Sequence, residues 1–248
     1  MSHDDATIED AVETFLSRGL ITEVLGELKS GKEATVLACR AGPDAGCERA
    51  ALKVYRPRTA RSFRNDAVYQ EGRFFREDRA TRAFRNKSRF GREVQQGAWI
   101  AREWEVARRL HAAGVAVPRP IDAAGGSILM DLFEDEDGVA APPLQRARLA
   151  PDEARSVLAA LLAEVERMLA AHVVHGDLSP YNVLWARGAL RIIDFPQAVD
   201  PRQSDVASLL LARDVDHIFA FCARSGVAGD PARIAAELWA RYEAGVIG

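Results

Sequence analysis

His175-Gly-Asp-Leu-Ser-Pro-Tyr-Asn182, followed by Leu190-Arg-Ile-Ile-Asp194, is the stretch that decides how this chain is read. Its spacing is H-x-D-x-x-x-x-N with a second aspartate at the end of a short apolar run. Transfer of a phosphoryl group asks little covalent chemistry of a protein. It does ask for a carboxylate that orients the attacking hydroxyl and takes its proton, and for oxygen ligands that hold a divalent ion on the phosphates. Asp177 suits the first task, and the amide oxygen of Asn182 with the carboxylate of Asp194 suits the second. Asn182 comes directly before Val183-Leu-Trp185 and Asp194 directly after Arg191-Ile-Ile193, so a hairpin turning at Gly188 brings the two together. Taken singly, each residue has an ordinary alternative: Asp177 as a cap, Asn182 as a turn residue, His175 as a hydrogen-bonded core histidine.

Upstream, Ala51-Leu-Lys53-Val reads as a strand carrying one lysine among apolar neighbours. Such a lysine must find a negative partner or lose its charge. Glu103, in Ala101-Arg-Glu-Trp-Glu105, is the expected partner; Glu105 points about 200° away around a helix that turns ~100° per residue. The alternative is an edge-strand lysine in water beside a surface glutamate. Gly26-Glu-Leu-Lys-Ser-Gly31-Lys32-Glu33 satisfies G-x-x-x-x-G-K but has Glu33 where a P-loop needs a hydroxyl for magnesium, and a β-branched strand follows instead of a helix. A P-loop NTPase is therefore rejected. A phosphate-covering hairpin needs a tight turn with backbone N–H groups free to face phosphate, which Gly31 and Lys32 would supply. Only one glycine survives when Val36 is aligned with the end of G-x-G-x-x-G-x-V.

The 248 residues suit one large domain or two small lobes. With 48% hydrophobic and 28% charged residues the composition is that of a globular protein and excludes wholesale disorder. No uncharged apolar run approaches the ~18 residues of a membrane span, and the acidic start MSHDDATIED lacks a signal-peptide pattern. The expectation is a soluble, unprocessed chain of the cytoplasm with no membrane partner. Three cysteines without a C-x-x-C pair argue against a disulfide framework and a zinc site. The formal net charge of −3 hides an asymmetry, because 15 Arg and Lys stand against 7 Asp and Glu between Arg56 and Arg109. That block can attract nucleic acid or another polyanion, or it can be a solvated helical insertion.

Periodicity predicts a helix over residues 7–17, a meander of strands over 21–28, 34–40 and 49–55, and a helix over 97–111 ending at Gly114. The aromatic and arginine-rich stretch between them has ill-defined periodicity, suggesting partial helix. A buried strand follows over 127–132. The polar crossover Glu134–Gly138 with Pro142-Pro143 is the expected lobe boundary. Pro151-Asp-Glu opens a long helix, two short strands flank Gly188, and helices are expected over 203–222 and 231–244. Sheet first and helices second implies a bilobal α+β architecture.

Taken together, Ser30-Gly-Lys-Glu-Ala34, Ala51-Leu-Lys53-Val-Tyr55, His175-Gly-Asp-Leu-Ser179, Asn182 and Ile193-Asp-Phe-Pro-Gln197 resemble the RIO family of atypical serine/threonine protein kinases. The resemblance runs from the end of the first helix to Leu211-Ala-Arg-Asp214. It implies a protein-kinase-like fold over residues 1–248, with an antiparallel N-lobe over 1–133 that holds the cationic insertion 56–96, and a reduced, mainly helical C-lobe over 134–248. It further implies use of ATP with Mg²⁺ or Mn²⁺, autophosphorylation on serine, and in some members an ATPase role through a phosphoryl group carried transiently on the metal-loop aspartate. By resemblance Asp177 is the catalytic aspartate, Asn182 and Asp194 the metal ligands, and Lys53, paired with Glu103, the phosphate lysine. Ser30, Gly31, Lys32 and Val36 cover the nucleotide, and Met130 to Phe133 meet the adenine.

The chain departs from a full-size kinase in ways that count. Only 54 residues follow Asp194, no A-P-E occurs, and Pro196 stands where D-F-G has glycine, which disfavours a mobile switch there. Pro180, Pro201 and Glu134 also depart from the family pattern, outside the catalytic set. Three functions compete at this point: a kinase acting on itself or another protein; a RIO-type ATPase serving as a switch on rRNA or a ribosomal particle, gripped through residues 56–109; and a small-molecule phosphotransferase of aminoglycoside or choline kinase type, for which the C-lobe is short.

Overall fold

The computed structural model describes residues 3–56 and 89–247, with side chains over 7–56 and 97–247. Most of the expected cationic insertion therefore lies outside the described residues. The chain clusters into two compact units, Met1–Glu105 with Arg119–Leu132, and Val106–Pro118 with Phe133–Gly248.

In the first unit, helix α1 (His3–Ser17) precedes strands β1 (Ile21–Ser30), β2 (Ala34–Ala41) and β3 (Arg49–Tyr55); helix α2 (Arg89–Ala112) follows, its residues up to Glu105 in this unit, then β4 (Pro120–Ala124) and β5 (Ser127–Asp131). The five strands form one antiparallel sheet in the order β1-β2-β3-β5-β4. Alternation assigns its two faces. Ala50, Leu52 and Val54 of β3 pack with Leu37, Cys39 and Leu129 beneath Ala11 and Phe15 of α1. Ala51, Lys53 and Tyr55 are then on the opposite face. Edge strand β1 buries only Ile21 and carries three register shifts, a device that blunts an edge against pairing with other chains.

Two elements differ from the periodicity reading. Helix α2 starts at Arg89, two turns before the expected 97, because Gly97 sits inside the helix with open space around it and does not begin it. Strand β4 was not expected: Pro120 opens it and no alternation marks it. At the sheet edge a strand needs only one hydrogen-bonding side, and its first residue tolerates proline.

The second unit holds α3 (Pro151–Ala170), the hairpin β6 (Val183–Ala186) and β7 (Ala189–Ile192), and helices α4 (Ala207–Ala223) and α5 (Pro231–Glu243). The α3 stripe Val157, Leu158, Leu161, Val165, Met168 and Leu169 is buried. Residues 106–118 belong here and not with the sheet, although the expected division at 133/134 left them in the N-lobe. The reason is hydrogen bonding: the Ala116 N–H donates to Glu164 Oε2 at 3.0 Å, and the Ala116 carbonyl accepts from Ile192 N–H at 2.7 Å. The polar crossover is an ordered turn in which Asp135 Oδ1 accepts from the N–H groups of Asp137 and Val139. No helix among the described residues is long and apolar enough to cross a membrane.

Candidate active site

The lysine of β3 has found its partner. Lys53 Nζ lies 2.6 Å from Glu103 Oε1, with side chains 14% and 6% exposed, so each charge is compensated where water is scarce. Glu103 reaches it from the fourth turn of α2, and Tyr55 backs the ammonium with its ring, 4.9 Å from centroid to Nζ. Burial raises the Tyr55 phenol well above its ordinary range and keeps it neutral.

Register places further expected residues beside Lys53. Directly opposed residues of an antiparallel pair share a face. Lys53 opposes Val36 on β2 and Ile128 on β5, while Ala51 opposes Met130. Val36, Lys53 and Met130 thus line one sheet face. Phe133, in contrast, belongs to the second unit, where the Arg191 guanidinium stacks 4.9 Å from its ring centroid.

The turn between β1 and β2 differs in detail from what its composition suggested. The Gly31 N–H, expected to face phosphate, donates to the Ala34 carbonyl at 3.0 Å and closes the turn. A Cβ at Gly31 would sit 3.6 Å from that carbonyl, an ordinary contact, and its φ is not positive. Flexibility is thus not demanded at this glycine. Ser30 opposes Thr35, and Thr35 opposes Val54, which puts the Ser30 and Thr35 side chains on the α1 face and not on the face of Lys53. There the Ser30 hydroxyl accepts from Arg56 Nη2 at 2.6 Å.

The second unit builds the decisive stretch from backbone outward. Gly176 has φ +77°, and a Cβ there would meet the Gln197 carbonyl at 2.6 Å, so this position accepts only glycine. His175 is buried, its Nε2 lies 3.2 Å from the Ile193 carbonyl, and its Nδ1 accepts from the Asp177 N–H at 3.3 Å. Those two partners require the neutral tautomer with the proton on Nε2, and burial lowers the ring's pKa in the same direction. His175 thereby ties the Asp177 loop to Ile193, between the end of β7 and Asp194, while Phe195 packs 5.1 Å away, centroid to centroid.

Asp177 itself is exposed. Asn182, 8% exposed, donates through Nδ2 to the Asp177 carbonyl at 2.9 Å and to Asp177 Oδ2 at 3.3 Å. Its backbone carbonyl accepts from the Ile193 N–H at 2.9 Å, one residue before Asp194. With Nδ2 committed, Oδ1 is the atom through which Asn182 can ligate a cation. Asp194 sits at the exit of β7 with φ +73°, a conformation uncommon outside glycine and of the kind found at functional sites.

Two residues of α4 complete the loop and were not singled out for any role by sequence reasoning. Asp214, 2% exposed, accepts the Gly176 N–H on Oδ2 and the Leu178 N–H on Oδ1, both at 2.8 Å, and Arg213 donates to the Gly176 carbonyl. Burial pushes the Asp214 carboxyl up to about 7 against the pull of those two N–H groups. The signal available was an acid at helical spacing from the apolar residues Leu210, Leu211 and Ile218.

Among the described residues no three His, Cys, Asp or Glu converge into a metal cage. Magnesium does not need one. It keeps several waters and takes one or two protein oxygens alongside substrate phosphates. One amide oxygen and one carboxylate, both hard donors at the ends of one hairpin, fit that habit.

The sequence model of the RIO domain family matches residues 36–234. The RIO-type serine/threonine-protein kinase Rio1 of Haloferax volcanii is 32% identical over 228 residues, covering 92% of this chain and 72% of that protein. Serine/threonine-protein kinase RIO1 of Chaetomium thermophilum is 30% identical over 224 residues, covering 86% of this chain but 42% of its own. The human RIO1 kinase is 29% identical, covering 91% and 39%. The chain thus spans less than half the length of these eukaryotic relatives. Among solved structures, the Chaetomium thermophilum Rio2 kinase–ADP/Mg²⁺-phosphoaspartate complex superposes with a TM-score of 0.67 at 24% identity, covering 94% of this chain and 66% of that one.

Proposed function

The chain belongs to the RIO family with a bilobal kinase-like α+β fold, and on that footing we propose that it is an ATP- and Mg²⁺-dependent serine/threonine kinase. It transfers the γ-phosphoryl group of ATP to a serine hydroxyl, its own included. The observation that supports this best is the arrangement around Asn182, whose Nδ2 donates to the carbonyl and Oδ2 of the exposed Asp177 while its own carbonyl accepts from the Ile193 N–H, one residue before Asp194.

Geometry supports the following roles. Asp177, exposed and oriented by Asn182 Nδ2, accepts the proton of the attacking hydroxyl. Lys53, held by Glu103, meets the α/β-phosphates, and the sheet face of Val36 and Met130 lies against the nucleoside. In the β1–β2 turn, Lys32 and the N–H groups left after Gly31 has bonded Ala34 cover the phosphates. Asn182 Oδ1 and Asp194 hold the divalent ion, which when bound offsets charge on the β- and γ-phosphates; manganese satisfies the same oxygen ligands. The whole chain acts as one RIO-type kinase domain, with residues 1–105 and 119–132 forming one lobe and 106–118 and 133–248 the other. Its working compartment is the cytoplasm.

A second reading has an observation of its own. The superposed Rio2 complex is described as a phosphoaspartate, and Asp194 sits in a strained backbone position next to its expected metal role. In that reading an Asp194 oxygen attacks the γ-phosphorus, the bond to ADP breaks, and water later hydrolyses the acyl phosphate. The net reaction is ATP hydrolysis, used as a switch on rRNA or a ribosomal particle gripped through residues 56–109.

Incubation with γ-labelled ATP and Mg²⁺, beside Asp177→Ala and Asp194→Asn, tests both. The kinase reading expects acid-stable label on serine, lost in both variants. The ATPase reading expects free phosphate and a hydroxylamine-labile label that Asp194→Asn abolishes. Wild-type activity in either variant overturns the site.

A further inference from the structure

Arg56 directly follows β3 and contacts both sides of the β1–β2 turn. Its Nη2 donates to Ser30 Oγ, the last residue of β1, at 2.6 Å, and to Thr35 Oγ1, the second residue of β2, at 3.2 Å. Its backbone N–H donates to the Glu33 carbonyl inside the turn at 2.8 Å. The two hydroxyls lie 3.4 Å apart. Thr35 is 1% exposed, so this part of the cluster is fixed in the sheet. Both hydroxyls accept from a cation, and hydrogen bonds to charged groups are the stronger kind.

The placement matters as much as the distances. Register puts Val54, Thr35 and Ser30 on the α1 face, opposite Lys53, and the Arg56 guanidinium meets the Ser30 and Thr35 hydroxyls there. A side chain there cannot reach a nucleotide lying against Lys53. It can set the backbone from behind. The turn has few restraints of its own: Gly31 N–H to Ala34 is its internal bond, and Gly31 is the most permissive residue in the chain's phosphate-facing segment. Without a tie across its base, the turn would have to be ordered when the nucleotide arrives, and that ordering entropy would weaken binding.

We propose that Arg56 is a positioning residue that clamps Ser30, Glu33 and Thr35 from the far face of the sheet, presetting the Lys32 and Glu33 backbone for phosphate. The consequence for phosphate rests on the kinase reading above; the clamp itself does not. Lysine at 56 would keep a cation and enough N–H donors for the two hydroxyls but lose the planar guanidinium that orients them, so its hold on the turn is looser.

The test compares wild type, Arg56→Ala and Arg56→Lys in two measurements. The first is amide hydrogen exchange in the nucleotide-free protein. Arg56→Ala is expected to speed exchange at residues 31–34 about tenfold, the weight of one charge-assisted hydrogen bond, with Arg56→Lys intermediate and β3 and β5 amides unchanged. The second is affinity for a non-hydrolysable ATP analogue with Mg²⁺, expected to weaken about tenfold in Arg56→Ala and less in Arg56→Lys. Unchanged exchange at 31–34, or faster exchange spread evenly over the whole sheet, overturns the clamp. So does analogue affinity in Arg56→Ala equal to that of a wild type that binds. Faster exchange confined to 31–34 in a protein whose wild type binds no analogue supports the clamp and overturns the kinase reading instead.

Discussion

At the residue scale, the loop around Asp177 depends on two groups that do no chemistry themselves. Gly176 must be glycine for two independent reasons, a left-handed φ and a Cβ that would lie 2.6 Å from the Gln197 carbonyl. Gly176→Ala is expected to lower stability by about 2 kcal/mol and to abolish turnover, whereas Gly31→Ala should stay within about 0.5 kcal/mol of wild type in a urea titration. Asp214 gives a pH signature. Its carboxyl titrates near 7 in the folded protein and near its ordinary 3.8 when unfolded. Between those values the folded state holds a proton that the unfolded state has released, so this group's contribution is complete below pH ~4 and is lost as pH rises through ~7. Asp214→Asn offers one acceptor where two N–H groups need two, so it should destabilise the loop. The stability gap between wild type and variant should narrow from pH 5 to pH 8; a gap that stays constant would show that the buried carboxyl is ionised throughout. His175, Asp177 and Asn182 were legible as a spacing, but the bonds from Gly176 and Leu178 to Asp214 join residues 36 to 38 positions apart and leave no local trace.

At the element scale, helix α2 delivers one glutamate and not its neighbour two residues on. The 200° separation of Glu103 and Glu105 is a property of any α-helix, which is why the partner of Lys53 could be chosen before the structure was known. Glu103→Gln leaves the Lys53 ammonium among apolar neighbours without its counter-charge. It is expected to cost about 3 kcal/mol in thermal or urea unfolding and to reduce ATP turnover on the order of a hundredfold through misplaced phosphates, while Glu105→Gln remains within a few-fold of wild type. Equal losses in the two variants would contradict the pairing as a functional contact. The start of α2 and the existence of β4 were not legible. A helix whose first turns carry arginines and an internal glycine has no periodic stripe to announce it, and an edge strand that begins with proline has no alternation.

At the scale of the whole molecule, the near-neutral net charge conceals an acidic remainder and a block from 56 to 109 carrying 15 basic against 7 acidic residues. In the reading that makes this block a contact for rRNA, binding releases condensed counterions, so the affinity for an rRNA fragment should fall steeply and linearly in log–log form between 50 and 200 mM salt, by about 0.9 log units per phosphate contacted for each tenfold rise in salt. A flat response would remove the block as the contact surface. What the sequence by itself determined is spacing: Asn182 and Asp194 stand at the two ends of a short hairpin that closes at Gly188, His175 and Asp177 just before it, and the β-branched run after Lys32 excludes a P-loop, because strand alternation and hairpin closure are local rules that a linear pattern records. What only the tertiary structure decided is which groups hold those residues in place. Asp214 beneath the Asp177 loop and the sheet face to which Ser30 turns are fixed by contacts between distant residues and by strand register, and no local rule specifies either until the chain has packed.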